Sequence, residues 1–218
     1  RDGVEAVVDA DVAVVTIPTW ALRDVAMPTA AGAALTRLAG LRYPAVSSVA
    51  LGFRRADIAH PLDGFGCLVP SRERRDLLGV LFSSALFPDR APAGHALLTC
   101  FIGGTRRPDL GTAPTDLLVE RLLADLQPLL GVRGAPVFVE HSRWPHAIPQ
   151  YELGHDHHVA AAEAIEAVLP GLVLDGQFRR GVSVGDCIAA GRTLADRAVA
   201  LLTRHRSSVA GPTAVAHA

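Results

Sequence analysis

Apolar positions change period along this 218-residue chain, and the changes divide it into four stretches. Val12 to Ile17 is a continuous apolar run rich in β-branched residues, closed by Asp11 and Pro18, which predicts a fully buried strand. Pro18 suits the start of a helix reaching about Val25, and Pro28 to Leu41 repeats at helical spacing. Tyr43-Pro44 ends that pattern. The next runs are short and strand-like: Val46 to Phe53, Gly66 to Val69, Leu77 to Phe82 and Ala96 to Ile102. Turn clusters such as Pro61-Leu-Asp-Gly64 and Phe87 to Pro92 separate them, the pattern of an antiparallel sheet. A helix is predicted from about Pro114 to Leu130, with Thr112 or Thr115 as cap and Gly131 as stop. Pro136 to His141 reads as a further strand. The remainder alternates helix (His155 to Val168), strand (Leu172 to Leu174) and helix (Asp186 to about His205). After Ser207 a Ser, Ala, Gly and Pro tail reads as disordered.

These shifts set the expected boundaries at 1–43, 44–145, 146–206 and 207–218. With 50% hydrophobic residues the chain has ample material for a core. Net charge is −1, and every strong base is Arg, with no Lys and no basic stripe, which argues against nucleic-acid binding. Cys67, Cys100 and Cys187 are odd in number and lack metal-type pairing, so a reduced, intracellular protein is expected. No run approaches the roughly 20 apolar residues of a membrane span, and no signal peptide is visible. The first residue is Arg, and a piece of a longer product is expected.

The candidate chemistry begins at Gly176-Gln-Phe-Arg-Arg-Gly-Val-Ser-Val-Gly-Asp-Cys-Ile-Ala-Ala-Gly191, a strand-to-helix turn punctuated by glycine. Gly181 and Gly185 leave the N–H groups of Val182, Ser183 and Val184 able to approach an electron-rich ligand. An ordinary tight turn stays open as the alternative. Asp186 reads as a helix cap before it reads as a general base. Gly181-Val-Ser-Val-Gly185 nearly meets the nucleophile-elbow pattern, but Asp196 and His205 would lie on the helix that begins at Asp186 and could not fold back over Ser183. No catalytic residue is assigned. His155 and His158 stand three apart on a predicted helix without a third or fourth ligand, so a solvated helix start is preferred to a metal site, and no metal ligand is assigned. No GxGxxG is present, so the ADP-binding half of a dinucleotide site is missing from this sequence.

Further segments accompany that turn in order: Leu51-Gly-Phe53, His60 to Pro70, Leu78 to Ser84, Phe101-Ile-Gly-Gly104, and Trp144-Pro-His-Ala-Ile-Pro-Gln-Tyr-Glu-Leu-Gly-His155. Together they resemble the C-terminal half of the oxygen-dependent protoporphyrinogen/coproporphyrinogen oxidases, FAD-dependent, amine-oxidase-like flavoproteins of haem synthesis, from about Asp11 to Leu202. The resemblance implies an α/β fold: an incomplete FAD-binding Rossmann-like domain, formed by 1–43 and 146–206, with an inserted β-rich substrate domain at 44–145. It implies FAD contacts at Gln177, Val182, Ser183 and Val184, and apolar substrate walls at Leu68, Leu81 and Phe101, for which plain strand core is the alternative. Tyr151 borders the flavin or fills the domain junction. The chain departs from the family at Arg179, a charge where a ring is usual, and at Gly185, where Pro or Asn is usual. The implied reaction is oxidation of a porphyrinogen by molecular oxygen. A truncated, non-catalytic binding or assembly module, or another amine-oxidase-type flavoprotein, is the alternative. A cytoplasmic location is expected, with peripheral membrane contact and a homodimer left open.

Overall fold

A computed structural model describes residues 6–209, with side chains described for residues 6–207. In chain order the regular elements are β1 (Ala13–Val15), α1 (Gly32–Ala39), β2 (Val46–Arg54), β3 (Gly66–Leu68), β4 (Leu77–Leu81), the one-turn α2 (Ser83–Leu86), β5 (His95–Gly103), α3 (Thr115–Leu130), β6 (Phe138–Trp144), α4 (Asp156–Val168), β7 (Leu172–Leu174), the one-turn α5 (Gln177–Arg180) and α6 (Val184–Val209). The fold is α/β. Residues 43–148 form one compact unit, and the flanking segments up to 42 and from 149 form the other.

In the unit of residues 43–148, five antiparallel strands lie in the order β3-β4-β5-β2-β6. Alternation sends Val49, Leu51, Phe53, Leu98, Cys100 and Ile102 to one face, all buried. Helix α3 covers that face with Leu118, Leu122, Leu126 and Leu130, spaced four apart so that one stripe meets the sheet. Its Asp125 is also buried. It accepts the Leu77 N–H at 2.9 Å and an Arg75 N–H at 3.3 Å. Those bonds satisfy the backbone where β4 shifts register between Leu77 and Gly79. Helix α3 stops at Gly131, whose φ of 63° supplies the left-handed residue such an end needs. The expected Thr cap is absent: Pro114 holds the cap position, and the Thr115 hydroxyl bonds His141 instead.

In the other unit, β1 and β7 pair in parallel, Ala13 with Leu172 and Val15 with Leu174. Val173, Leu174 and Phe178 are buried there with Ala162 and Ile165 of α4. The expected fully buried first strand is corrected. Only three residues of the Val12-to-Ile17 run form β1, and Val14 and Ile17 are exposed, because one neighbouring strand covers only part of an apolar run. The predicted helix after Pro18 is a 3-10 helix over Thr19–Asp24, and the next begins as a 3-10 turn at Thr29 before α1. Helix α6 starts at Val184, two residues ahead of expectation, and reaches Val209. Residues 207–209 of the expected disordered tail are therefore helical, and 210–218 lie outside the described residues. Among the described residues no helix is long and apolar enough to cross a membrane.

Candidate functional site

The sheet face opposite α3 is built to stay open. In the antiparallel register Phe101 stands against Gly79, Leu68 against Gly79, and Leu81 against Gly66. Directly opposed residues share a face, so the three apolar side chains project on the same side, across positions with no side chain. A Cβ at Gly79 would sit 2.9 Å from the Cys67 carbonyl and 3.0 Å from Leu68 Cδ2. The result is an apolar cavity of about 250 Å³ lined by Phe65, Gly66, Leu68, Gly79, Leu81 and Phe101. Leu68 is 89% exposed, and Leu81 and Phe101 are half-buried. Among the described residues Leu68 is therefore not part of the strand core. A second apolar cavity, about 410 Å³, lies where Gly52 pairs with both Leu97 and Phe138, with Arg90 and His95 at its edge. Sequence reasoning missed it. Its signal is a glycine in the middle of a strand pattern, which marks a close approach or an opening.

On the helix-covered side of the same unit, Ser47 is fully buried and donates to Gly111 O at 3.0 Å. Its oxygen then accepts from His141 Nε2 at 2.8 Å, while Thr115 Oγ1 reaches His141 Nδ1 at 3.0 Å. Burial, then the positive charge of Arg143, holds His141 below its ordinary range, against the opposing pull of Glu140.

The glycine-punctuated turn lies in the other unit. Gln177–Arg180, expected as open turn, is the short helix α5 between Gly176 (φ 141°) and Gly181 (φ 127°). The α6 cap is Ser183. Its hydroxyl accepts the Asp186 N–H at 3.0 Å, and the Asp186 carboxylate accepts the Ser183 N–H at 3.3 Å, a reciprocal capping box. Two expectations are thereby corrected: Asp186 stands at the third helical position rather than at the cap, and the Ser183 amide is spent within the protein. The amides of Val182 and Val184 remain at the helix start, where four N–H groups have no intrahelical partner. Val184 and Ile188, one turn apart, expose apolar side chains beside it. A flat, electron-accepting ring fits such a surface: apolar contact, N–H donors, and the positive end of a helix dipole. Gln177 does not reach outward, since its amide donates to Val182 O at 3.4 Å.

Arg179 turns inward, bonding Glu166, Glu163 and the Leu174 carbonyl, so the charge found where a ring is usual serves packing. Tyr151 Oη donates to Gln177 O and accepts the Gly181 N–H at 3.0 Å. His155 Nε2 donates to Phe178 O at 2.6 Å, and His158 Nδ1 to Arg37 O at 2.9 Å. Both His rings are thus committed to backbone carbonyls, and among the described residues no three His, Cys, Asp or Glu side chains gather.

A family model described as "Flavin containing amine oxidoreductase" matches residues 1–199. Protoporphyrinogen oxidase 2, chloroplastic/mitochondrial, of Arabidopsis thaliana is 42% identical over 171 residues, 77% of this chain and 34% of that protein. Coproporphyrinogen III oxidase of Bacillus subtilis (strain 168) is 25% identical over 195 residues, 89% of this chain and 41% of that one. A crystal structure from Exiguobacterium sp. 255-15, provisionally named a protoporphyrinogen oxidase, superposes with a TM-score of 0.71 at 26% identity, over 86% of this chain and 41% of that one. The chain thus spans well under half the length of these relatives.

Proposed function

The chain belongs to the flavin containing amine oxidoreductase family, and from that premise we propose that it is the C-terminal part of an FAD- and oxygen-dependent porphyrinogen oxidase. The observation that carries this reading is the shared cavity of Leu68, Leu81 and Phe101. A porphyrinogen is a flat macrocycle with apolar faces, and half-buried side chains across glycines offer it a shallow wall without a competing polar partner. When bound, FAD supplies the hydride acceptor and passes electrons on to oxygen. The residues of this chain then have separate tasks. Leu81 and Phe101 orient the macrocycle, and Leu68 covers its edge. The Val182 and Val184 amides at the α6 N-terminus would face a bound flavin and stabilise negative charge on it. No protein nucleophile is required.

The same reading includes a cytoplasmic location, favoured by three free cysteines, with peripheral membrane contact and homodimerisation as its remaining parts. The deciding experiment adds FAD and a porphyrinogen to the full-length gene product in air and follows porphyrin fluorescence. Porphyrin formation with retained flavin supports the reading, and the absence of both removes it. For this chain alone we expect little flavin retained after desalting; stoichiometric retention would contradict that.

A non-catalytic binding or assembly module is the second reading, favoured by the charged α5, whose Arg179 is tied up with Glu166. A GxGxxG encoded upstream of Arg1 in the same reading frame decides for the enzyme.

A further inference from the structure

We infer that Tyr151 and His155 are positioning residues that set the angle of the flavin-facing turn, an inference that rests on the flavin reading above. The reason begins with α5, which has four residues and so cannot sustain itself, since one helical turn costs more to nucleate than it returns. Glycines with positive φ flank it at Gly176 and Gly181, so the chain is pliable on both sides. Contacts from elsewhere must fix its direction.

Tyr151 supplies the decisive one. A single phenolic oxygen donates to the carbonyl of Gln177, where α5 begins, and accepts the N–H of Gly181, just past its end. His155, at the N-cap position of α4, binds the next carbonyl, Phe178 O. The two rings stack with centroids 4.0 Å apart and planes at 22°, so each holds the other in place. Arg179 ties the middle of α5 to Glu166, yet it makes no bond to Gly181 or to the amides beyond it. Gly181 is therefore held by Tyr151 on one side. On the other, Asp186 crowds it so closely that a Cβ would sit 2.5 Å from Oδ2. The Gly181 N–H is bonded to Tyr151 at the protein surface as a strut, and the next amides emerge at one set angle. Tyr151 thus acts on the redox ring through the backbone, without touching the reacting atoms.

Tyr151→Phe removes one oxygen and keeps the ring stacked on His155. In the apo chain we expect the Gly181 amide to exchange with solvent about tenfold faster, as loss of one hydrogen bond implies. In the full-length flavoprotein the variant should bind FAD about tenfold more weakly. It should also lower the flavin midpoint potential, with KM for the porphyrinogen unchanged. His155→Gln, which keeps an N–H donor, should restore much of the exchange protection that His155→Ala loses. Unchanged Gly181 exchange in Tyr151→Phe overturns the inference while leaving the functional reading intact. Faster exchange with wild-type FAD affinity and potential reduces the clamp to a structural role and overturns its positioning part. Wild-type full-length protein that takes up no flavin overturns the functional reading, and the positioning role with it.

Discussion

Glu166 of α4 and Arg179 of α5 meet at 2.8 Å with side chains only 11% and 8% exposed. The carboxylate also accepts the Leu174 N–H at 2.8 Å and an Arg197 N–H at 2.9 Å, so one acid joins α4, β7, α5 and α6. Burial opposes its ionisation, but Arg179, the Leu174 amide and Arg197 outweigh that and hold Glu166 below its ordinary 4.5. Burial likewise opposes the charge on Arg179, and Glu166 reverses the balance.

Removing one member of this pair strands the other. Glu166→Ala is expected to cost about 3 kcal/mol of unfolding free energy, and Glu166→Met with Arg179→Met together less than the single change. Denaturant titration checks both. Because the folded-state value is depressed, the stabilisation is complete above pH 4.5 and disappears as pH falls through the folded-state value. Glu166→Gln should flatten that acid limb.

His141 predicts a second, milder pH dependence. Its folded-state value lies below 6.5, so the unfolded chain takes up a proton first. Stability from this group is complete above pH 6.5, declines as pH falls below it, and levels off beneath the folded value. Chemical unfolding of His141→Gln from pH 8 to 5 should lack that slope.

The open sheet face and the core are separable by mutation. Leu68→Ala, at an exposed position, should change unfolding free energy by less than about 0.5 kcal/mol. If the proposed function holds, it should nevertheless raise KM for a porphyrinogen in the full-length protein. Leu98→Ala, at a fully buried position on the opposite face, should cost about 2–5 kcal/mol. A Leu68 variant that unfolds as readily as the Leu98 variant contradicts this division.

Gly181→Ala tests the turn itself. Its φ of 127° and the Asp186 carboxylate 2.5 Å from a Cβ leave no room for a side chain. The substitution should weaken the Ser183–Asp186 capping box, at about 1–2 kcal/mol, and reduce FAD uptake by the full-length protein. Thermal melting and flavin titration measure the two effects.

Most strands and long helices were legible because they rest on local periodicity. Alternation along β5 separates Leu98 and Cys100 from Leu97 and Phe101, and the four-residue spacing of Leu118 to Leu130 declares a helix stripe. Element ends were less legible. Whether Ser183 or Asp186 caps α6, or whether Gln177 to Arg180 winds into a turn of helix, depends on partners such as Tyr151 and Glu166 that lie far away in sequence.

By itself the sequence determined which residues alternate, which repeat at helical spacing, and which ordered segments carry the family likeness. Tertiary structure decided which sheet face stays open, where strand pairing brings Leu68, Leu81 and Phe101 together across glycines. It also decided that Arg179 turns inward and that Tyr151 braces Gly181. The physical reason is that periodicity is a property of neighbours along the chain, whereas exposure and hydrogen-bond partnership are settled only when distant segments compete for the same space.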